Sequence, residues 1–190
     1  MTSKSTMAAV LTRLRDDHRG VAAIEFAIVL PFMLVLYIGG VELGDGMAIQ
    51  VKVTDTTHIV ADLVTQQTTT TTKAMVDTIL GASSATMAPY SSPPYSAANL
   101  VVTVSEVSTN ASGAATVTWS DSLNGAKRPV GQVMTLPAQL AGTPNISLIL
   151  GEVSYNYTPN LGYNIVGTVL ISDSYYLFPR NSAAIACTGC

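Results

Sequence analysis

Residues 20–41, GVAAIEFAIVLPFMLVLYIGGV, form an apolar run interrupted by one carboxylate, Glu25. A helix from Val21 to Val41 rises about 1.5 Å per residue and so extends roughly 30 Å, the thickness of a bilayer's hydrocarbon core. A membrane-spanning segment is the expectation. Lys4, Arg13, Arg15 and Arg19, mixed with Asp16 and Asp17, precede it, whereas Glu42 and Asp45 are the first charges after it. Excess Lys and Arg marks the cytoplasmic side, so the N-terminus is expected inside and everything from about residue 42 outside. A secretory signal peptide is the competing reading, since a basic region before an apolar core is its general pattern. The length of the core, the presence of Glu25 and Pro31, and an exit GGVELGDG without an A-x-A-like site argue against it.

Glu25 needs a physical account, because an ionised carboxylate at mid-bilayer costs on the order of 2.5 to 3.5 kcal/mol on insertion scales. Two readings stand side by side. In one, Glu25 lies so close to the start of the helix that it stays near the headgroups and remains hydrated. In the other, it recognises a cation inside the membrane or an assembly of such helices, for which a free α-amino group on residue 21 of a neighbouring chain is suited.

RGVAAIEFAIVLP, Arg19 to Pro31, resembles the N-terminal signature of TadE-like proteins, the pseudopilins of tight-adherence (Tad) pilus systems. It also follows the broader type IV prepilin pattern of a basic leader, a glycine, and glutamate at the fifth mature position. The resemblance covers roughly residues 13 to 62 and says little about residues 80 to 190. It implies that Gly20 ends a leader and that an inner-membrane prepilin peptidase cuts before Val21, on the cytoplasmic side. Glycine suits such a site because a protease can approach its bare backbone closely. It further implies that Glu25, with Phe26 beside it, serves recognition or assembly, the carboxylate engaging the new α-amino terminus of an adjacent subunit. Such a pair sets register more than it adds net stability, because desolvation penalises both ions. A role for Glu25 in peptidase recognition alone is the alternative.

Pro31 removes one backbone donor inside the span, which membrane helices tolerate when neighbours re-satisfy the freed carbonyl; a kink is expected there. Gly40 and Gly44 form a small-x-x-x-small pair, with Gly39 and Gly46 nearby, consistent with close helix packing or with a flexible membrane exit.

Beyond the membrane, residues 42–81 read as a helical segment. Ile59 with Leu63, Val60 with Val64, Met75 with Ile79 and Val76 with Leu80 are apolar i, i+4 pairs on one stripe. Between them runs QQTTTTT, Gln66 to Thr72, whose β-branched threonines weaken a helix and suggest a joint between two helices. Residues 82–99, including APYSSPPYSAAN with Pro89, Pro93 and Pro94, read as a linker. Thereafter LVVTVSEVS (100–108), ATVTWSD (115–121), ISLILGEVSYNY (146–157) and IVGTVLISDSYYL (165–177) carry the β-branched and aromatic character of strands. The expected fold class is α+β, a long N-terminal helix followed by a small antiparallel sheet module over residues 100–190, a pilin-like layout.

With 9 Lys plus Arg against 12 Asp plus Glu, and no basic stripe among the aromatics, nucleic-acid binding is not expected. The two cysteines, Cys187 and Cys190, close the chain as CTGC. A thioredoxin-like motif needs a helix start after a strand, and zinc needs more ligands than His18 and His58 on opposite sides of a membrane supply. A disulfide is the expectation for an outside compartment, clipping a tail rather than stapling the fold.

No Ser-His-Asp, Cys-His, phosphate-loop or HExxH arrangement occurs, so neither an enzyme nor a cofactor is expected. Glu106, Asp121, Glu152 and Asp173 leave a carboxylate pair as one reading, but acids scattered on strands are usually solvated, and that is the expectation. Asn110, Asn145 and Asn156 head glycosylation sequons that read as coincidental.

The leading functional expectation is a TadE-like pseudopilin or minor pilin that assembles, anchors or tips a Tad pilus in surface adhesion. Its implied partners are the bacterial inner membrane, a prepilin peptidase, other Tad pilins or pseudopilins, and the inner-membrane assembly platform. Its module would be periplasmic or carried out on the extracellular pilus. The alternative is an unprocessed bitopic binding protein whose outer domain recruits a pilus or secretion partner; a membrane-tethered enzyme is the remaining class.

Overall fold

The structure, a computed structural model, describes residues 20–92, 96–159 and 167–190. The basic segment with Lys4, Arg13, Arg15, Asp16, Asp17, His18 and Arg19, the Pro93–Pro94 step and the first residues of the expected fourth strand lie outside the described residues.

The chain forms two compact units, one ending at Leu43 and the other running from Gly44 to Cys190. Helix α1, Val21–Thr65, contributes to both. In the first unit it is helical through Pro31, and its large apolar side chains, among them Ile24, Phe26, Phe32, Leu36 and Tyr37, are exposed. In the second unit it becomes one-sided: Ile49, Val53, Val60, Ala61 and Val64 are buried, with Thr56 and Thr57 beside them. The change of pattern along one helix is the signature of a change of surroundings.

At Thr65 the helix stops, and the threonine run becomes strand β1, Thr70–Thr72. The break expected at Gln66–Thr72 is therefore present, and β-branched residues take the extended backbone they favour. Helix α2, Lys73–Thr86, follows, its Thr72 N-cap accepting from the Met75 N–H at 3.3 Å. It runs past the expected end at Gly81 into the segment read as linker. Nothing in Ala82–Thr86 breaks a helix, and the Ser83 and Ser84 hydroxyls donate to the Leu80 and Gly81 carbonyls.

A 3₁₀ turn at Ala97–Asn99 leads into the sheet. Strands β2 (Leu100–Thr109), β3 (Ala115–Leu123), β4 (Val133–Met134), β5 (Ser147–Tyr157) and β6 (Val169–Leu177) lie in the order β4-β3-β2-β5-β6, all neighbours antiparallel. The α+β class expected from the sequence is the one observed. A short β7, Ala186–Thr188, pairs in parallel with β1, placing Cys187 opposite Thr71.

The sheet has a core on each face. On one, Leu100, Val102, Val104, Trp119, Ile149, Val153 and Tyr155 pack against buried residues of α1 and α2. β5 and α1 approach closely at Gly151, where an added Cβ would lie 3.0 Å from both the Ala61 Cβ and the Thr57 carbonyl oxygen. On the other, Val107, Val117, Leu148 and Leu150 are covered by Leu136, with Met134 and Leu140 beside it, from the long β3–β5 connection.

Candidate functional site

The N-terminal stretch of α1 is the candidate site. By length and composition α1 can cross a membrane, and none of its most apolar window is buried within the protein. Gly20 stands immediately before the helix with open space where a side chain would be, and Val21 is its first residue. Glu25 and Phe26 are both exposed on the second turn, adjacent in sequence and about 100° apart around the axis. Gly39, Gly40 and Gly44 likewise have no neighbour within 4 Å of an added Cβ, so no described residue uses their smallness. Among the described residues none covers these exposed apolar side chains, the exposed carboxylate or the bare glycines, the pattern of a helix that meets lipid or other helices.

Residues 20–62 match the family model described as TadE-like protein. No curated protein matches the chain, and no solved structure does. The matched segment begins at Gly20, so the earlier part of the expected resemblance, residues 13–19, lies outside it. Over residues 20–62 the chain is similar to TadE-like proteins, and the same stretch belongs to a helix long and apolar enough to cross a membrane. The TadE-like family is a pilus-associated structural family. The match ends within α1, before the sheet module begins.

Cys187 and Cys190 are joined by a disulfide, with Cα atoms 5.8 Å apart. They are not on a free tail. Both pack against the core, and the preceding residue run is tied down at several points: Arg180 N–H donates to the Thr65 carbonyl at 3.0 Å, Ala186 N–H to the Thr69 carbonyl at 2.9 Å, and the Asn181 amide to the Gln66 carbonyl at 2.7 Å. Arg180 also pairs with Asp62.

Two carboxylates read from the sequence as solvated are buried. Glu106 is 4% and Asp121 5% exposed. Glu106 accepts from the Ser147 hydroxyl at 2.5 Å, the Thr118 hydroxyl at 2.9 Å and the Ile185 N–H at 3.1 Å, and the Trp119 indole N–H donates to the Ile185 carbonyl at 2.6 Å. Buried Ile185 thereby binds the C-terminal run to the sheet. Period-two alternation through Leu100, Val102 and Val104 puts Glu106 on the core face, a signal already in the sequence; an irregularity between Glu106 and Val107 then shifts the register. Asp121 accepts from Lys73 at 2.6 Å, and Lys73 also reaches Asp77 at 2.8 Å. These two bonds raise the Lys73 pKa above its ordinary value, the Asp121 bond most.

Glu152 is half-buried and grips Arg128 with both oxygens, Nε to Oε2 at 2.6 Å and a terminal nitrogen to Oε1 at 2.5 Å. Asp173 is partly exposed and caps the Ser174 N–H at 2.8 Å. His58 stacks on Tyr175 with ring centroids 3.9 Å apart, which gives it a packing role. Asn110 turns its side-chain oxygen onto the Ser112 and Ala114 N–H groups, ordering the β2–β3 turn. Among the described residues no cluster of three or more His, Cys, Asp or Glu side chains is placed to hold a metal.

Proposed function

We propose that the chain is a pilin-like subunit of a Tad pilus, a TadE-like pseudopilin or minor pilin, inserted by α1 with the sheet module outside the inner membrane. The observation that carries this reading is the coincidence of the TadE-like match over residues 20–62 with a helix whose N-terminal apolar side chains are exposed among the described residues. Cleavage between Gly20 and Val21 by a prepilin peptidase would create an α-amino cation at the head of the helix. Glu25 of a neighbouring subunit is the natural acceptor, and the pairing would fix the stagger of adjacent helices while desolvation limits its net energy. Phe26 and the apolar face would then pack against other pilins or pseudopilins in the assembly platform or the filament. Pro31 and the Gly40–Gly44 pair would shape how closely those helices approach.

Mass spectrometry of the membrane fraction tests the first step. A chain beginning at Val21 is expected from cells with an active prepilin peptidase, and Gly20→Arg should remain full length. Recovery of intact chain from Met1 in the wild type would overturn the processing reading and leave an unprocessed membrane-bound binding protein.

A further inference from the structure

On the sheet face away from α1, a groove of about 590 Å³ opens over β2, β5 and β6 beside the segment that follows β3. That volume falls in the range of small-molecule sites, roughly 300–1,000 Å³. The pairing register builds its floor: Thr103 lies opposite Glu152 and Val101 opposite Ser154, while across the next ladder Glu152 meets Ser174 and Ser154 meets Ser172. The Ser154, Ser172 and Ser174 hydroxyls make no hydrogen bond to another described residue, so both donor and acceptor capacity face the opening. Arg128 lies across Glu152 in the bidentate grip described above and is itself positioned by its N–H donating to the Ser120 hydroxyl at 3.1 Å. A paired guanidinium and carboxylate held in one plane still offer unused N–H groups and lone pairs to a ligand.

The charges in the groove cancel. Lys127 and Arg128 are matched in number by Glu152 and Asp173 among the lining residues, so the lining carries no net formal charge to attract a polyanion. No aromatic ring is among the described lining residues, which removes the platform a nucleobase would use. Val101 and Pro129 supply aliphatic contact beside the hydroxyls.

We infer that this groove binds a neutral polyhydroxylated ligand, a short stretch of uncharged polysaccharide, through the hydroxyls of Ser154, Ser172 and Ser174 and the Arg128–Glu152 pair. Vicinal sugar hydroxyls each donate and accept, matching a surface of serine hydroxyls and a planar ion pair, while the C–H face of the ring meets Val101 and Pro129. The site lies outside the TadE-like segment, and the inference does not depend on how α1 is processed.

The test uses the full chain in phospholipid nanodiscs, free of glycoside detergents, titrated calorimetrically with maltotetraose, cellotetraose and N-acetylchitotetraose, with heparin as the polyanionic comparator. Saturable binding of at least one neutral tetrasaccharide is expected. The Ser172→Val and Ser174→Val double variant should weaken it by about tenfold or more while retaining a cooperative melting transition, since valine suits a strand. Ser154→Val, on the central strand β5, is an independent variant expected to weaken it in the same direction. Absence of saturation by all three sugars at roughly 10 mM, unchanged affinity in folded variants, or tighter binding of heparin than of any neutral sugar would each overturn the inference.

Discussion

Glu25 and Glu106 are both carboxylates set among apolar neighbours in sequence, and they are used in opposite ways. Glu25 is exposed on a stretch of helix that the other described residues leave uncovered. If it pairs with an α-amino group during assembly, Glu25→Gln should be cleaved normally yet enter the pilus poorly, because the amide keeps the size and loses the charge. Normal piliation by this variant, scored by pilus shearing and immunoblot, would instead favour a hydrated carboxylate near the headgroups. Glu106 has its donors within the fold, from Ser147, Thr118 and Ile185. Replacing it with leucine leaves buried donors unmade, each worth about 1–3 kcal/mol. Chemical denaturation of Glu106→Leu should therefore show a loss of at least that order, together with faster amide exchange at Ile185.

Among the elements, β5 and α1 meet closely at Gly151. Gly151 admits the helix so closely that a methyl group would lie 3.0 Å from Ala61 and from the Thr57 carbonyl. Gly151→Ala should destabilise the module by about 1–3 kcal/mol, since either the strand or the helix must shift, and a lowered denaturation midpoint measures it. The C-terminal run behaves as an element too. The disulfide closes so few residues that the chain-entropy formula gives only about 2 kcal/mol. The Cys187→Ser and Cys190→Ser double variant is thus expected to fold with a reduced midpoint, held by the β1–β7 pairing and the Ile185 bonds. Complete unfolding of that variant would mean that the bridge does more than trim denatured-state entropy.

For the whole molecule, neutral and alkaline conditions should differ. The Lys73 pKa is raised by its bonds to Asp121 and Asp77, and burial raises that of Tyr176. In both cases the folded state holds its proton to higher pH than the unfolded chain. The stabilisation is therefore complete below the ordinary lysine and tyrosine range and lost as pH rises through the folded values. Thermal melting should be level near neutrality and decline above about pH 10, with a smaller decline in Lys73→Met. Much of the architecture was legible in the residues: the apolar run of 20–41, the threonine break, and four β-rich segments, because periodicity and propensity are local properties. Glu106 was legible in the alternation of β2 but was read as solvated, since four scattered acids resemble surface. The β1–β7 pairing carried no such signal. Three threonines and the residues around a cysteine are too short to announce a parallel strand pair, and only the arrival of residues 178–190 beside the end of α1 brings them together. The groove likewise exists because strand register aligns serines from β5 and β6 beneath Arg128 from another connection. By itself the sequence determined which stretches are apolar, helical or extended, together with the TadE-like head. Which distant residues face one another was decided by tertiary structure, because such contacts depend on packing and register between segments far apart in the chain.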